Sequence, residues 1–222
     1  MDSKEKMWEE IRPTDRKPSE YFHDLGIDLQ FLKNKKILDV GSGRNQFAHD
    51  IREHNLDLVS IDAFYALSRE EREKVFSGLR KEYWPKIKEQ LSRISGPEKD
   101  SYLVGGIAES IPFPDDVFDV ILAEYSLPYH TQRFDQFKRF LSEVVRVLKP
   151  GGQARIFPMR FYKRYKLEIE LETDVMRLAY DVLGKLHLLG VNVFVTKDDL
   201  LIIVKPPITD GLMDNFDIFW PK

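Results

Sequence analysis

Two acidic residues and a pair of glycines are the part of this sequence best equipped for chemistry. Asp39 sits in a short apolar run, Ile37-Leu38-Asp39-Val40, and Gly41-Ser42-Gly43 follows at once. Glycines there let the backbone turn tightly and approach a ligand where a Cβ would collide, and the helix start beyond offers N–H groups to a carboxylate. A second acid, Asp62, closes the run Leu56 to Ile61 and lies 19 residues after Gly43. At a strand end, such a carboxylate can accept hydrogen bonds from both hydroxyls of a ribose. The plainer alternatives are an ordinary strand-to-helix turn and a solvated strand-end Asp. Farther on, Glu124-Tyr125-Ser126-Leu127-Pro128-Tyr129-His130 puts an acid, two phenol rings and an imidazole in one short segment. His130 is the candidate general base, with Tyr129 beside it, and Tyr125 or Tyr129 could frame an aromatic or cationic acceptor. Against that, a lone histidine at a helix start is more often a capping or surface residue. Arg160-Phe161-Tyr162-Lys163-Arg164-Tyr165-Lys166 interleaves cations with rings, and Arg160 and Tyr162 are the candidate substrate contacts; a solvated lip of the cleft is the competing reading.

These residues are useful only if strand ends bring them together. The pattern predicts a helix from about Ser19 to Lys33, a strand ending at Val40, and a helix carrying Phe47, Ala48 and Ile51 at helical spacing. Further strands are expected at Leu56 to Ile61, Ser101 to Val104, Val117 to Ala123 and Ala154 to Phe157. Phe134, Phe137, Leu141, Val144, Val145 and Leu148 mark an amphipathic helix closed by Lys149-Pro150-Gly151-Gly152. A helix from roughly Thr173 to Leu189 leads to two last strands, Val191 to Val195 and Leu200 to Val204. Only four residues separate that pair, too few for a parallel crossover, so if they pair they must run antiparallel.

Five segments then resemble the class I S-adenosylmethionine-dependent methyltransferases, particularly the broad group acting on small molecules. They are Ile37-Leu38-Asp39-Val40-Gly41-Ser42-Gly43, Ser60-Ile61-Asp62, Ala108-Glu109-Ser110-Ile111-Pro112-Phe113, Phe118-Asp119-Val120-Ile121 and Val147-Leu148-Lys149-Pro150-Gly151-Gly152. The resemblance implies that Gly41, Ser42 and Gly43 hold the methionine part of the cofactor and that Asp39 orients its amino end, with Glu124 also on the cofactor side. It implies ribose binding by Asp62 with Ala63 next to it, and adenine binding along Ile107, Ala108 and Glu109. In the family an Asp commonly precedes the Ala-Glu pair and reads the adenine amino group; Ile107 stands there in this chain, so the polar readout is weakened. The third glycine of the family turn is replaced by Asn45, a residue at home in tight turns. A dinucleotide fingerprint would need glycine at Gln46 and a crossover before the last strand.

The expected fold is therefore α/β: a three-layer, Rossmann-like, seven-stranded, mostly parallel sheet with an antiparallel last strand. The expected organisation is an arm at 1–18, one domain at 19–205 with a helical insertion at 67–96, and a tail at 206–222. The expected function is methyl transfer from S-adenosyl-L-methionine, with S-adenosyl-L-homocysteine as product, to a small-molecule O, N or C acceptor. Two alternatives stay open: a non-catalytic nucleoside-binding or regulatory protein of the same fold, and an RNA or protein methyltransferase, for which the stretch at 160–166 is the only hint.

Composition narrows the chemistry. The 222 residues contain no cysteine, which removes disulfides, thiolate metal sites and the nucleophile used to methylate pyrimidine C5. Glu124-Tyr125-Ser126-Leu127 also lacks the Pro-Pro-aromatic signature of base amino methyltransferases. The histidines show no ligand spacing, so no metal is expected. A net charge of −3 leaves a nucleic acid partner unannounced without removing it. The N-terminus is polar, and no run approaches the roughly 20 apolar residues that cross a bilayer, so a cytoplasmic protein without membrane contact is expected.

Overall fold

The computed structural model describes residues 16–68, 70–71, 102–129, 134–159 and 169–207. Seven strands form one sheet in the order β3-β2-β1-β4-β5-β7-β6. They are β1 (Lys36–Val40), β2 (Asp57–Asp62), β3 (Leu103–Gly105), β4 (Phe118–Glu124), β5 (Leu148–Phe157), β6 (Asn192–Val195) and β7 (Leu201–Val204). β1 pairs in parallel with β2 and β4, β2 with β3, and β4 with β5, whereas β7 runs antiparallel to both β5 and β6. The short hairpin after Val195 forces that reversal, as the sequence predicts. Thr196 N–H donates to the Leu200 carbonyl at 2.9 Å and the Thr196 hydroxyl accepts from Leu200 N–H at 3.2 Å, which closes the loop.

The helices cover both faces. On one side lie α1 (Pro18–Asp24), α2 (Leu29–Leu32) and α3 (Gln46–Asp50); on the other lie α4 (Phe134–Val147) and α5 (Ile169–Leu188). Because strand side chains alternate, β1 sends Leu38 and Val40 into the core under α4 and α5 and sends Ile37 toward α1 and α3. Burial on both faces accounts for the unbroken apolar runs of these strands. α4 buries Phe137, Phe140, Leu141, Val144, Val145 and Val147 as one stripe.

The structure corrects several boundaries. The helix predicted over 19–33 is two short helices, because Gly26 takes the left-handed conformation (φ 59°) and Asp28 caps a new start, accepting from Phe31 N–H at 2.6 Å. Arg155 fastens that break by donating to the carbonyls of Leu25 and Gly26 at 2.7 and 3.0 Å. The helix after the glycine turn stops at Asp50 and continues as a single 3₁₀ turn, Arg52–His54. β5 starts at Leu148 instead of Ala154: Leu148 pairs with Phe118 and Gln153 with Val120, so Lys149 to Gly152 bulge out of a strand that the sequence reading places after them. Gly151 takes φ 78° in that bulge. Lys149 then reaches Asp119 at 2.8 Å, tying two of the recurrent segments together at the end of the sheet opposite the glycine turn.

The predicted insertion at 67–96 lies almost wholly outside the described residues, as do most of the predicted arm and tail. Among the described residues, no helix is long and apolar enough to cross a membrane, and no group of three or more potential ligands could hold a metal ion.

Candidate cofactor and acceptor site

The carboxyl ends of β1, β2 and β4 converge beside the glycine turn. Asp39 pairs in register with Leu122, so Glu124, two residues on, stands level with the start of that turn. Ile37, Val120 and Leu122 face α1 and its neighbours, and alternation puts Asp39 and Glu124 on that same side. Both acids are buried, with 1% and 3% of their surface exposed.

Their environments differ sharply. The Tyr21 hydroxyl, from α1, donates to both oxygens of Asp39 at 2.9 and 3.0 Å. Tyr21 is itself held by stacking on Phe47 of α3, with ring centroids 3.9 Å apart and planes 3° from parallel. Among the described residues, Glu124 has no hydrogen-bond partner for either carboxylate oxygen, and the buried Ser126 hydroxyl lacks one as well. Burial pushes the Asp39 carboxyl up to about 7, against the Tyr21 hydrogen bond that favours its charge. Burial drives Glu124 further, to about 9, with Arg16 opposing the rise and Asp24, Asp39 and Glu20 adding to it. An unpartnered buried carboxyl is expensive, and a cationic ligand is what would restore its hydrogen bonds.

The turn itself departs from the expectation. Gly41 and Gly43 do take left-handed conformations, φ 73° and 59°, and Asn45 supplies the third such position at φ 61°. Asn45 also accepts a 2.7 Å hydrogen bond from Ser60, which fixes the turn to β2. The backbone N–H groups, however, are largely engaged within the protein. Those of Gly41 and Ser42 meet the Ile61 carbonyl at 2.8 and 3.4 Å, that of Gly43 meets Asp62 at 2.9 Å, and that of Asn45 meets the Ser42 carbonyl at 3.0 Å. The space beside Gly41 is occupied as well: a Cβ added there would fall 2.3 Å from that of Ser126. The glycine thus lets the segment after β4 approach. Ser42 is buried, and its hydroxyl is shared with Tyr65 at 2.8 Å.

At the end of β2, Asp62 is half-buried and accepts from Gly43 N–H at 2.9 Å and Phe64 N–H at 2.8 Å. Burial raises its carboxyl to about 6 even though both of these hydrogen bonds favour the charged form. Ala63 opens the 3₁₀ turn that Asp62 caps. The segment Ile107–Ser110 is a tight turn in which Ile107 is 51% exposed, Ala108 packs inward and Glu109 is half-buried. The loop behind it is clamped by α4: Glu143 accepts from Ile111 N–H at 2.7 Å, and Arg146 donates to the carbonyls of Ile111 and Phe113 at 2.8 Å each.

Beyond Glu124 the chain bends, with Tyr125 at φ 48°. Its ring meets those of Tyr129 and Phe157 edge-on, at 5.2 and 5.5 Å between centroids, and the Arg16 guanidinium lies 4.5 Å from its centre. The structure thus brings Tyr125 and Tyr129 together. His130, Arg160 and Tyr162 lie outside the described residues. The contacts of Tyr21 with Asp39 and of Arg16 with Tyr125 are not legible in the sequence: helical spacing places Tyr21 in the core without disclosing a hydroxyl aimed at Asp39, and nothing local marks Arg16.

A family model described as a methyltransferase domain matches residues 38–156, just over half of the chain. The chain belongs to the class I S-adenosylmethionine-dependent methyltransferases. The chain is 50% identical over 52 residues to the phthiotriol/phenolphthiotriol dimycocerosates methyltransferase of Mycobacterium tuberculosis, covering 22% of this chain and 17% of that protein. It is 30% identical over 106 residues to the ubiquinone/menaquinone biosynthesis C-methyltransferase UbiE of Shewanella halifaxensis, covering 45% and 37%. The matches thus span well under half the length of these relatives. Among solved structures, a putative S-adenosyl-L-methionine-dependent methyltransferase of Methanococcus maripaludis aligns over 86% of this chain and 84% of that chain, with 15% identity and a TM-score of 0.48. S-adenosylmethionine is the family's cofactor.

Proposed function

We propose that the protein methylates a small molecule, using S-adenosylmethionine bound across the carboxyl ends of β1, β2 and β4. The observation that carries this reading is Glu124: a carboxyl 3% exposed with neither oxygen hydrogen-bonded, next to an Asp39 already held by Tyr21. Glu124 takes the cofactor's α-ammonium, Asp39 adds negative potential beside it, and the turn from Gly41 to Gly43 sets the floor. Asp62 accepts from the ribose hydroxyls through the lone pairs its two backbone partners leave, with Ala63 alongside. The adenine lies along Ile107, Ala108 and Glu109, read mainly by apolar contact. The cofactor brings a methyl carbon already activated by its sulfonium, so the chain's own task is largely to orient the acceptor and exclude water, effects worth up to roughly 7 to 11 kcal/mol in favourable systems.

Tyr125, Tyr129 and Phe157 form the aromatic wall against which an acceptor would pack. His130, as general base, and Arg160 and Tyr162, as acceptor contacts, complete the proposal from the sequence side. The relatives named for phthiotriol dimycocerosates and for ubiquinone/menaquinone biosynthesis support a small molecule over a nucleic acid or a protein. Calorimetry with S-adenosylhomocysteine, followed by transfer of a labelled methyl group into a metabolite extract, tests the reading. Saturable binding with a labelled product is expected. Binding without any product would point to a non-catalytic member of the fold, and failure to bind would remove the cofactor assignment.

A further inference from the structure

Between α3 and β2, at the helix end of the glycine turn, lies a cavity of about 530 Å³ that neither the cofactor nor the acceptor reading uses. That volume falls within the range of small-molecule sites. Its walls are apolar: Ala48 and Ile51 come from α3 and its C-terminal end, Leu56 and Leu58 from the approach to β2 and the strand itself. At its floor stand two buried polar residues, Asn45 and Ser60, 3% and 1% exposed. The Ser60 hydroxyl donates to Asn45 Oδ1 at 2.7 Å, and among the described residues nothing accepts from the Asn45 amide nitrogen. A buried amide donor in an otherwise apolar cavity is a seat for a ligand's acceptor atom.

The rim adds a charge and a ring. Arg52 is exposed, meets the His49 ring at 3.4 Å and pairs with no acid among the described residues. Tyr102, 56% exposed, presents a flat apolar surface at the same mouth. Asp57 is the one carboxylate lining the cavity, and it would push an anion toward Arg52. The arrangement suits a planar aryl carboxylate, with its acid on Arg52, its rings between the walls and an acceptor atom inward on Asn45. Asn45 also links the cavity to the cofactor side. It holds the left-handed conformation, φ 61°, that ends the glycine turn, and its bond to Ser60 anchors that turn on β2. α3, which starts from it, has only five residues and little stability of its own. A ligand that accepts from Asn45 therefore adds an anchor to the turn.

We propose that this cavity is a second small-molecule site, for a planar aryl carboxylate, and that its occupant steadies the glycine turn for the cofactor. The second half rests on the S-adenosylmethionine reading above. The probe is 6-hydroxy-2-naphthoate, which carries its acid at one end and an acceptor oxygen at the other. Its fluorescence is followed on titration into the full chain, alone and with saturating S-adenosylhomocysteine. One saturable site is expected, and the parent naphthoate without the inner oxygen should bind about two- to tenfold more weakly. Arg52→Met should weaken the probe by about two- to fivefold, as for an exposed ion pair. Ala48→Phe, which fills the cavity, should weaken it by at least about tenfold, and Ala48→Leu makes the same comparison should the phenylalanine variant fail to fold. Saturating probe should tighten S-adenosylhomocysteine by about fivefold, and the reverse titration should show the same factor. Probe binding that survives both Ala48 variants, no saturable binding, or binding that leaves S-adenosylhomocysteine affinity unchanged overturns the proposal. Uptake through this cavity by a protein that never binds S-adenosylhomocysteine overturns the cofactor reading, and with it the link to the turn, while the cavity's occupant stands.

Discussion

The two ends of the proposed cofactor site are built on opposite principles. Where β1 meets β4, two acids are buried side by side, one of them without a partner, and α1 leans in to complete the arrangement. Where β2 meets β3, the acid is already hydrogen-bonded to the backbone on both oxygens, and the residue that should read the base is an exposed isoleucine. The first end stores unmet electrostatic demand that a cationic group can satisfy. The second is finished without a ligand and offers mainly shape. Discrimination for the amino acid end should therefore be steep, and for the base shallow.

The comparison is broken most directly at Glu124. Glu124→Gln keeps the shape and removes the charge; it should weaken S-adenosylhomocysteine by roughly 10- to 150-fold, as expected when one charged hydrogen-bonding partner of about 1.5 to 3 kcal/mol is lost, with little change when adenosine alone is titrated. The same residue sets a pH dependence whose sign can be worked out. Its carboxyl rises from an ordinary 4.5 to about 9 on folding, so the folded protein binds the proton more tightly than the unfolded chain. The stability this confers is complete below about pH 4.5 and is lost as pH climbs toward 9. Asp39 adds a smaller loss ending near pH 7. Thermal melts of the ligand-free protein should fall across pH 5 to 9, cofactor affinity should rise over the same interval as Glu124 ionises, and Glu124→Gln should flatten both. A ligand-free melting temperature that climbs with pH would contradict the burial argument.

Asp62 probes the finished end. Asp62→Ala should cost roughly 1 to 3 kcal/mol of cofactor binding and also destabilise the unliganded fold, because Gly43 and Phe64 N–H groups lose their acceptor. Binding measured beside thermal unfolding separates the two effects; unchanged affinity in a folded variant would remove the ribose assignment. The smallest change is expected from Ile107→Asp, which restores an acceptor for the adenine amino group. We expect adenosine to bind about two- to tenfold more tightly, in line with a net hydrogen bond of about 0.5 to 1.5 kcal/mol, and a loss of affinity would show that the isoleucine packs on the base to better effect.

What could be read from the sequence follows the same division. The sheet was legible because β1, β2 and β4 are apolar on both faces and are punctuated by glycine or acid, and because a four-residue link permits only an antiparallel hairpin. Asp39 and Asp62 could be nominated because each lies at a strand end within a recurrent segment, and Glu124 and Tyr125 because they stand at and just beyond the end of the strand that follows the third one. The partners that set their properties could not. Tyr21 is 18 residues from Asp39, and its side chain reads simply as a core aromatic. Arg16 stands among charges that look solvated. Helix limits failed where a capping side chain overrode periodicity, as Asp28 does, and β5 was shortened because Lys149 to Gly152 reads as a helix stop although those residues are carried in a bulge.

The contact between Gly41 and Ser126 bears on any attempt to alter what this protein accepts. With 2.3 Å between a hypothetical methyl at 41 and the side chain at 126, the floor of the proposed donor site and the entry to the proposed acceptor site are one joint. Reshaping the acceptor cavity through position 126 would displace the donor floor with it, so variants that broaden scope should instead emerge at Tyr125 and Tyr129, where the wall can be recut without moving the joint.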